Sequence, residues 1–167
     1  MKTNLKDLKW KDLTSPTLSP DKYLERYENR VNSNYESYKP KIEILENIKT
    51  KLENKKLKIV ALGADWCPDC SANVPKMIKI VKSMDASKVE LEILYGVMVN
   101  ALHKPRETIW DEKRSPPEAI NPKFDLSKIP TFYFFDESGN YLGVIVEHPK
   151  YGSTLEEDTL EILEKNL

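Results

Sequence analysis

The two cysteines of this 167-residue chain stand three apart, in the order Asp65-Trp66-Cys67-Pro68-Asp69-Cys70. A C-x-x-C pair offers two chemistries: a redox couple that closes and opens a disulfide, or half of a four-ligand metal site. Its surroundings bear on the choice. The preceding run, Leu57 to Gly63, is short, apolar and β-branched, and reads as a buried strand. Beyond the pair, Val74, Met77, Ile78, Val81 and Met84 recur at helical spacing. The cysteines are therefore expected in the first turn of a helix that follows a strand. Unpaired backbone N–H groups and the helix dipole favour an anion there, and so a thiolate. Cys67 becomes the nucleophile. Cys70, one turn further on and on the same side, is placed to attack a mixed disulfide on Cys67. Pro68 suits a first turn, where a missing N–H costs nothing. Asp69 sets a carboxylate beside the sulfurs and opposes thiolate formation, which argues for a reductant over a strong oxidase.

The positioning elements follow in chain order. Residues 1–18 are a polar lead-in with Leu5, Leu8, Trp10 and Leu13 as apolar contacts. Ser19-Pro20-Asp21 starts a helix as cap, first-turn proline and first-turn acid. Tyr23, Leu24, Tyr27, Val31, Tyr35 and Tyr38 continue it at helical spacing, and this stripe reads as packing surface. Pro40 ends that helix or opens the next, which Ile42, Leu45, Ile48 and Leu52 carry. Val89 to Met98 is expected as a strand near a sheet edge. A strand, helix, strand unit is a right-handed parallel crossover, which puts the cysteines at the carboxyl end of a parallel strand. Between Asn100 and Lys128 four prolines interrupt any period; Arg106 to Arg114 is expected as a short helix and Ser115 to Asp125 as loop. Phe132 to Phe135 and Tyr141 to Glu147 form a hairpin about Asp136 to Asn140, with Gly139 at positive φ. Ser153-Thr154-Leu155-Glu156 has capping-box spacing for a closing helix on Leu155, Leu160, Ile162, Leu163 and Leu167.

Trp66-Cys67-Pro68-Asp69-Cys70 resembles the redox motif of the thioredoxin superfamily, and Pro75 matches the proline inside the helix after it. Ile129-Pro130-Thr131, just before an aromatic strand, resembles the loop whose cis proline faces the disulfide. X-Pro is the one common place for a cis peptide, so Ile129-Pro130 is expected cis. The resemblance implies an α/β, thioredoxin-like fold, a central four-stranded mixed sheet flanked by helices. Residues 41–167 would form that domain, with an insertion at about 100–128, and residues 1–40 a helical extension packed on the core. It implies a protein-disulfide reductase: Cys67 attacks, Cys70 resolves, and Trp66, Pro68 and Asp69 tune the pair. Trp66, Ile129, Pro130 and Thr131 would bind substrate. The implied cofactor is none beyond the Cys67–Cys70 redox-active disulfide, with no metal. Implied partners are disulfide-containing proteins or small molecules and an electron donor such as a thioredoxin-reductase-type flavoprotein; the chain is expected to be monomeric. One position departs from the family. The buried aspartate that many members carry six residues before the first cysteine is Ala61 here, leaving Asp69, Asp65 or water to take the proton during resolution.

Composition sets outer bounds. With 26 basic and 27 acidic residues, no charge excess points to nucleic acid or an anionic membrane. No apolar stretch has signal-peptide or membrane-span length, so a cytoplasmic protein is expected. Two other readings stay open. One is a binding or scaffolding protein on the same frame, using the N-terminal helices and the 100–128 segment. The other is a metal module that adds His103 and His148 to the cysteines. The five glycines form no phosphate-cradling run.

Overall fold

The computed structural model describes residues 5–167; the first four residues of the expected 1–40 extension lie outside it. Four strands form one mixed sheet: β1 (Leu57–Leu62), β2 (Val89–Leu94), β3 (Thr131–Asp136) and β4 (Tyr141–Val146), in the order β2-β1-β3-β4. β1 pairs in parallel with β2 and antiparallel with β3, and β3 pairs antiparallel with β4. The expected four-stranded mixed sheet is present. β2 ends at Leu94, short of the expected Met98, because Gly96 takes φ 109° and turns the chain away.

Nearly every residue of β1 and β3 is buried, so both faces of the centre are covered. Register identifies what covers each. Phe134 lies opposite Ile59 on β1 and Gly143 on β4, and a Cβ on Gly143 would meet Ile162 at 2.8 Å. That face receives α5 (Leu155–Asn166). The opposite face carries Lys58, Tyr133 and Phe135. There Trp10 packs edge-on to Phe135 at 5.4 Å, and Phe124 meets Tyr133 at 5.4 Å. The N-terminal segment and the segment just before β3 thus both pack on this side. Phe124 is fully buried, and burying such a side chain contributes about 1.5–3 kcal/mol against exposure.

Four other α-helices lie among the described residues. α1 (Pro20–Arg26) starts as expected, with Ser19 accepting from the Lys22 N–H at 3.3 Å. The single tyrosine-striped helix is in fact two, because Tyr27 leaves helical geometry at φ −111°, ψ 22° and α2 (Glu28–Ser37) begins anew. Tyr27 instead packs against Tyr23 and Tyr95 at 5.1 and 5.3 Å. α3 (Ile42–Lys51) follows Pro40, and α4 (Pro68–Lys82) carries the cysteines. Lys76 and Lys79 of α4 lie over the rings of Tyr38 and Tyr35, so the lower part of the stripe is packing surface for α4.

Two local expectations are corrected. Among the described residues, 106–114 form turns and no helix. Trp110 is drawn into the core by an isolated bridge to Val99 and a 2.8 Å bond from Nε1 to the Leu126 carbonyl, which a solvent-facing helix would forfeit. The capping box of α5 is Thr154 with Glu157, one residue later than expected. Glu156 is buried instead, accepting from the Tyr38 hydroxyl and, at 2.8 Å, from the Lys41 N–H. The hairpin turn follows expectation, with Gly139 at φ 86° against the backbone of Trp10.

Candidate active site

α4 begins where β1 delivers it. Cys67 is the N-cap residue, its Sγ accepting from the Cys70 N–H at 3.2 Å, and Pro68 opens the first turn. A sulfur in this position substitutes for the oxygen of an ordinary cap and faces the helix N-terminus, the location the sequence predicts for the nucleophile. On its other side the Cys67 thiol donates to the Ile129 carbonyl at 3.6 Å. The Ile129-Pro130 bond is cis, as expected. The loop some sixty residues downstream therefore does lie against Cys67.

Both cysteines are free thiols, Cys67 5% and Cys70 0% exposed. Burial pushes the Cys70 thiol up, and the hydrogen bond it shares with Cys67 adds to this. The nearby Asp69 charge acts in the same sense, as the sequence suggests. The shift keeps Cys70 a protonated thiol, and taking up its proton would need a nearby acceptor. Ala61 is fully buried in β1 and supplies no carboxylate for that purpose, while Asp65 and Asp69 are exposed.

The remaining predicted residues fall in different settings. Trp66 is 43% exposed beside Cys67, its Nε1 donating to the Val97 carbonyl at 2.9 Å. Ile129, Pro130 and Thr131 are buried, and the Thr131 hydroxyl donates to the Lys128 carbonyl at 2.6 Å. The Pro130 carbonyl accepts from the Glu147 N–H, so this loop meets the sulfur through the Ile129 carbonyl. His103 and His148 bond to the carbonyls of Asn100 and Pro149. Among the described residues no group of three or more His, Cys, Asp or Glu side chains is placed to hold a metal ion.

Several residues at the site carry no motif. Arg30 of α2 donates to the Asp65 carbonyl at 2.6 Å, and Asn34 to the Ser71 carbonyl at 3.0 Å, so one helix holds the redox loop on both sides of the cysteines. Gly63 closes the floor: a Cβ there would lie 2.9 Å from the Cys70 sulfur and 3.0 Å from Cε1 of Tyr95. Only a glycine at the end of an apolar strand hints at such crowding.

A sheet of this order, with a cysteine pair at the start of the helix after β1 and a cis proline before β3, defines a thioredoxin-like protein. The thioredoxin family model matches residues 17–121, and the chain belongs to that family. The match begins within the segment expected as an extension. Among solved structures, an HIV epitope-scaffold aligns with TM-score 0.67 at 17% identity, covering 96% of this chain and all of that one. A protein of unknown function from Pseudomonas aeruginosa gives TM-score 0.49 at 20% identity, covering 99% of each chain. Mitochondrial thioredoxin 3 from Saccharomyces cerevisiae, in its oxidized form, gives 0.40 at 17% identity over 70% of this chain and 88% of that one. No curated protein matches the chain. No helix among the described residues is long and apolar enough to cross a membrane.

Proposed function

We propose that the chain is a thiol-disulfide oxidoreductase working as a reductase. Cys67 attacks a substrate disulfide and forms a mixed disulfide. Cys70 then attacks Cys67, the substrate leaves as its dithiol, and the Cys67–Cys70 disulfide carries the two electrons' worth of oxidation until an external donor reduces it. The observation that carries this reading is the placement of the Cys67 sulfur, at a helix N-terminus with Cys70 one turn behind and the Ile129 carbonyl before it. Trp66, half-exposed beside Cys67 and held by the Val97 carbonyl, offers an apolar surface that suits a disulfide-bearing protein as substrate. A flavoprotein of the thioredoxin-reductase type is the proposed donor, the chain acting as a cytoplasmic monomer. Reduction of insulin under dithiothreitol tests the activity. Cys67→Ser should abolish it, and Cys70→Ser should trap substrate on Cys67. Wild-type turnover in both variants would refute the reading.

A further inference from the structure

Two prolines frame the cysteine pair, and each leaves a main-chain carbonyl without a usual donor. Pro68 stands three residues after Asp65, so it has no N–H with which to close a turn on the Asp65 carbonyl. Pro75 lies inside α4, four residues after Ser71, so the Ser71 carbonyl loses the helical bond it would otherwise accept. A main-chain carbonyl without a partner is costly wherever water is excluded. α2 supplies both donors. Arg30 Nη1 donates to the Asp65 oxygen at 2.6 Å, and Asn34 Nδ2 to the Ser71 oxygen at 3.0 Å.

Residues 30 and 34 are one turn apart and share a face of α2. That helix is itself seated: Val31 is buried, and Lys79 and Lys76 of α4 lie over the rings of Tyr35 and Tyr38 at 4.5 and 5.3 Å. One of the two carbonyls precedes Cys67, and the other follows Cys70. Between them the Cys70 N–H already donates to the Cys67 sulfur at 3.2 Å. The tethers thus fix both ends of the stretch 65–71 that carries the sulfurs.

We propose that Arg30 and Asn34 are positioning residues of the redox pair, raising the effective concentration of Cys70 at Cys67 and so favouring closure of the internal disulfide. The inference rests on the oxidoreductase reading. Glutathione disulfide as oxidant shows where they act. The Cys67 thiolate attacks it, one glutathione leaves, and a mixed disulfide stands on Cys67. Cys70 then attacks the Cys67 sulfur, the bond to glutathione breaks and the second glutathione leaves; the protons of the two protein thiols end on the two glutathiones. The first step involves one protein sulfur and is indifferent to the tethers. The second is an intramolecular closure, and its equilibrium measures how closely Cys70 is held.

The test is the equilibrium of the full chain against reduced and oxidised glutathione, with the dithiol, mixed-disulfide and disulfide forms separated by mass spectrometry after acid quenching and alkylation. Arg30→Met and Asn34→Ala should each lower the constant for closure about 3- to 10-fold, the range to which one intramolecular hydrogen bond corresponds. The form carrying glutathione on Cys67 should rise in proportion. Asn34 is uncharged, so its variant reads the tether apart from any field at the sulfurs. Arg30→Lys, which keeps a cationic donor, should recover most of the loss. Lys79→Met is the control: it loosens α2 on α4 and leaves both carbonyl bonds in place, so thermal stability should fall while closure stays at the wild-type value. A wild-type constant in Arg30→Met or in Asn34→Ala would overturn the assignment. So would an equal shift in Lys79→Met, since that marks a general loosening of the fold. Failure of the natural protein to form a Cys67–Cys70 disulfide at all would instead sink the oxidoreductase reading, and the assignment with it.

Discussion

Gly63→Ala is the sharpest perturbation of the site. The added methyl would lie 2.9 Å from the Cys70 sulfur and 3.0 Å from Cε1 of Tyr95, against 3.4–4 Å for ordinary contact. Backbone conformation does not forbid alanine there, so the cost is steric. Neither neighbour is the loose end of a flexible chain: Cys70 is anchored in α4, and Tyr95 is fixed by its ring contacts and by Tyr23. One of them must retreat by about half an ångström, and overpacking of this kind costs about 1–3 kcal/mol. A 2 kcal/mol loss lowers the melting temperature of a chain this size by about 4–8 °C. The assay is urea and thermal unfolding of the reduced protein, with alkylation of Cys70 by iodoacetamide in a Cys67→Ser background as a local reporter. Cys70, sealed in the natural protein, should become alkylated faster. Gly143→Ala is the control: its methyl would strike Ile162 at 2.8 Å, lowering stability without changing Cys70. Unaltered stability and alkylation in Gly63→Ala would refute the claim that this glycine exists to seat the sulfur.

Three further outcomes are expected. Glu118 is 1% exposed and accepts from the Thr14 and Ser15 N–H groups at 2.7 and 3.0 Å and from the Ser15 hydroxyl at 2.6 Å. Glu118→Ala should cost about 2–4 kcal/mol by stranding those donors, and should expose residues 5–18 to limited proteolysis. Burial would raise this carboxyl, but the bonds from Ser15 and Thr14 outweigh it and the net shift is downward. Its contribution is therefore complete above the ordinary glutamate value of about 4.3 and is lost as pH falls through the lowered folded value. Glu118→Gln should flatten stability against pH in that acid window, and an unchanged acid limb would count against the assignment. Trp110→Phe removes the bond to the Leu126 carbonyl and should cost about 1–3 kcal/mol in chemical denaturation.

The parts of the fold legible in the sequence are those that local chemistry dictates. The cysteine pair, Pro68 and the apolar stripe behind them specify a helix N-terminus whatever the rest of the chain does, and Ile129-Pro130 stands next to a strand that any packing would bury. The rest depends on distant partners. Tyr27 keeps the helical period, yet its ring is wanted against Tyr95, and the helix breaks. Both Ser153 with Glu156 and Thr154 with Glu157 satisfy the capping pattern; the second prevails because Tyr38 and Lys41, over a hundred residues earlier, claim Glu156. Trp110 looks like one face of a short helix until Leu126 supplies an acceptor. The Tyr23–Tyr95 contact is visible only as half of a packing stripe, since its other half lies at position 95.

The two tethers from α2 set the boundaries of any shortened version of this molecule. Arg30 and Asn34 grip carbonyls that flank the sulfurs, at Asp65 and Ser71. A fragment starting at β1 would keep every residue of the motif and still lose the splint that holds its loop steady. Loosening of α2, by heat or by a rival binding to its outer side, would be felt at the sulfurs before the sheet itself gave way.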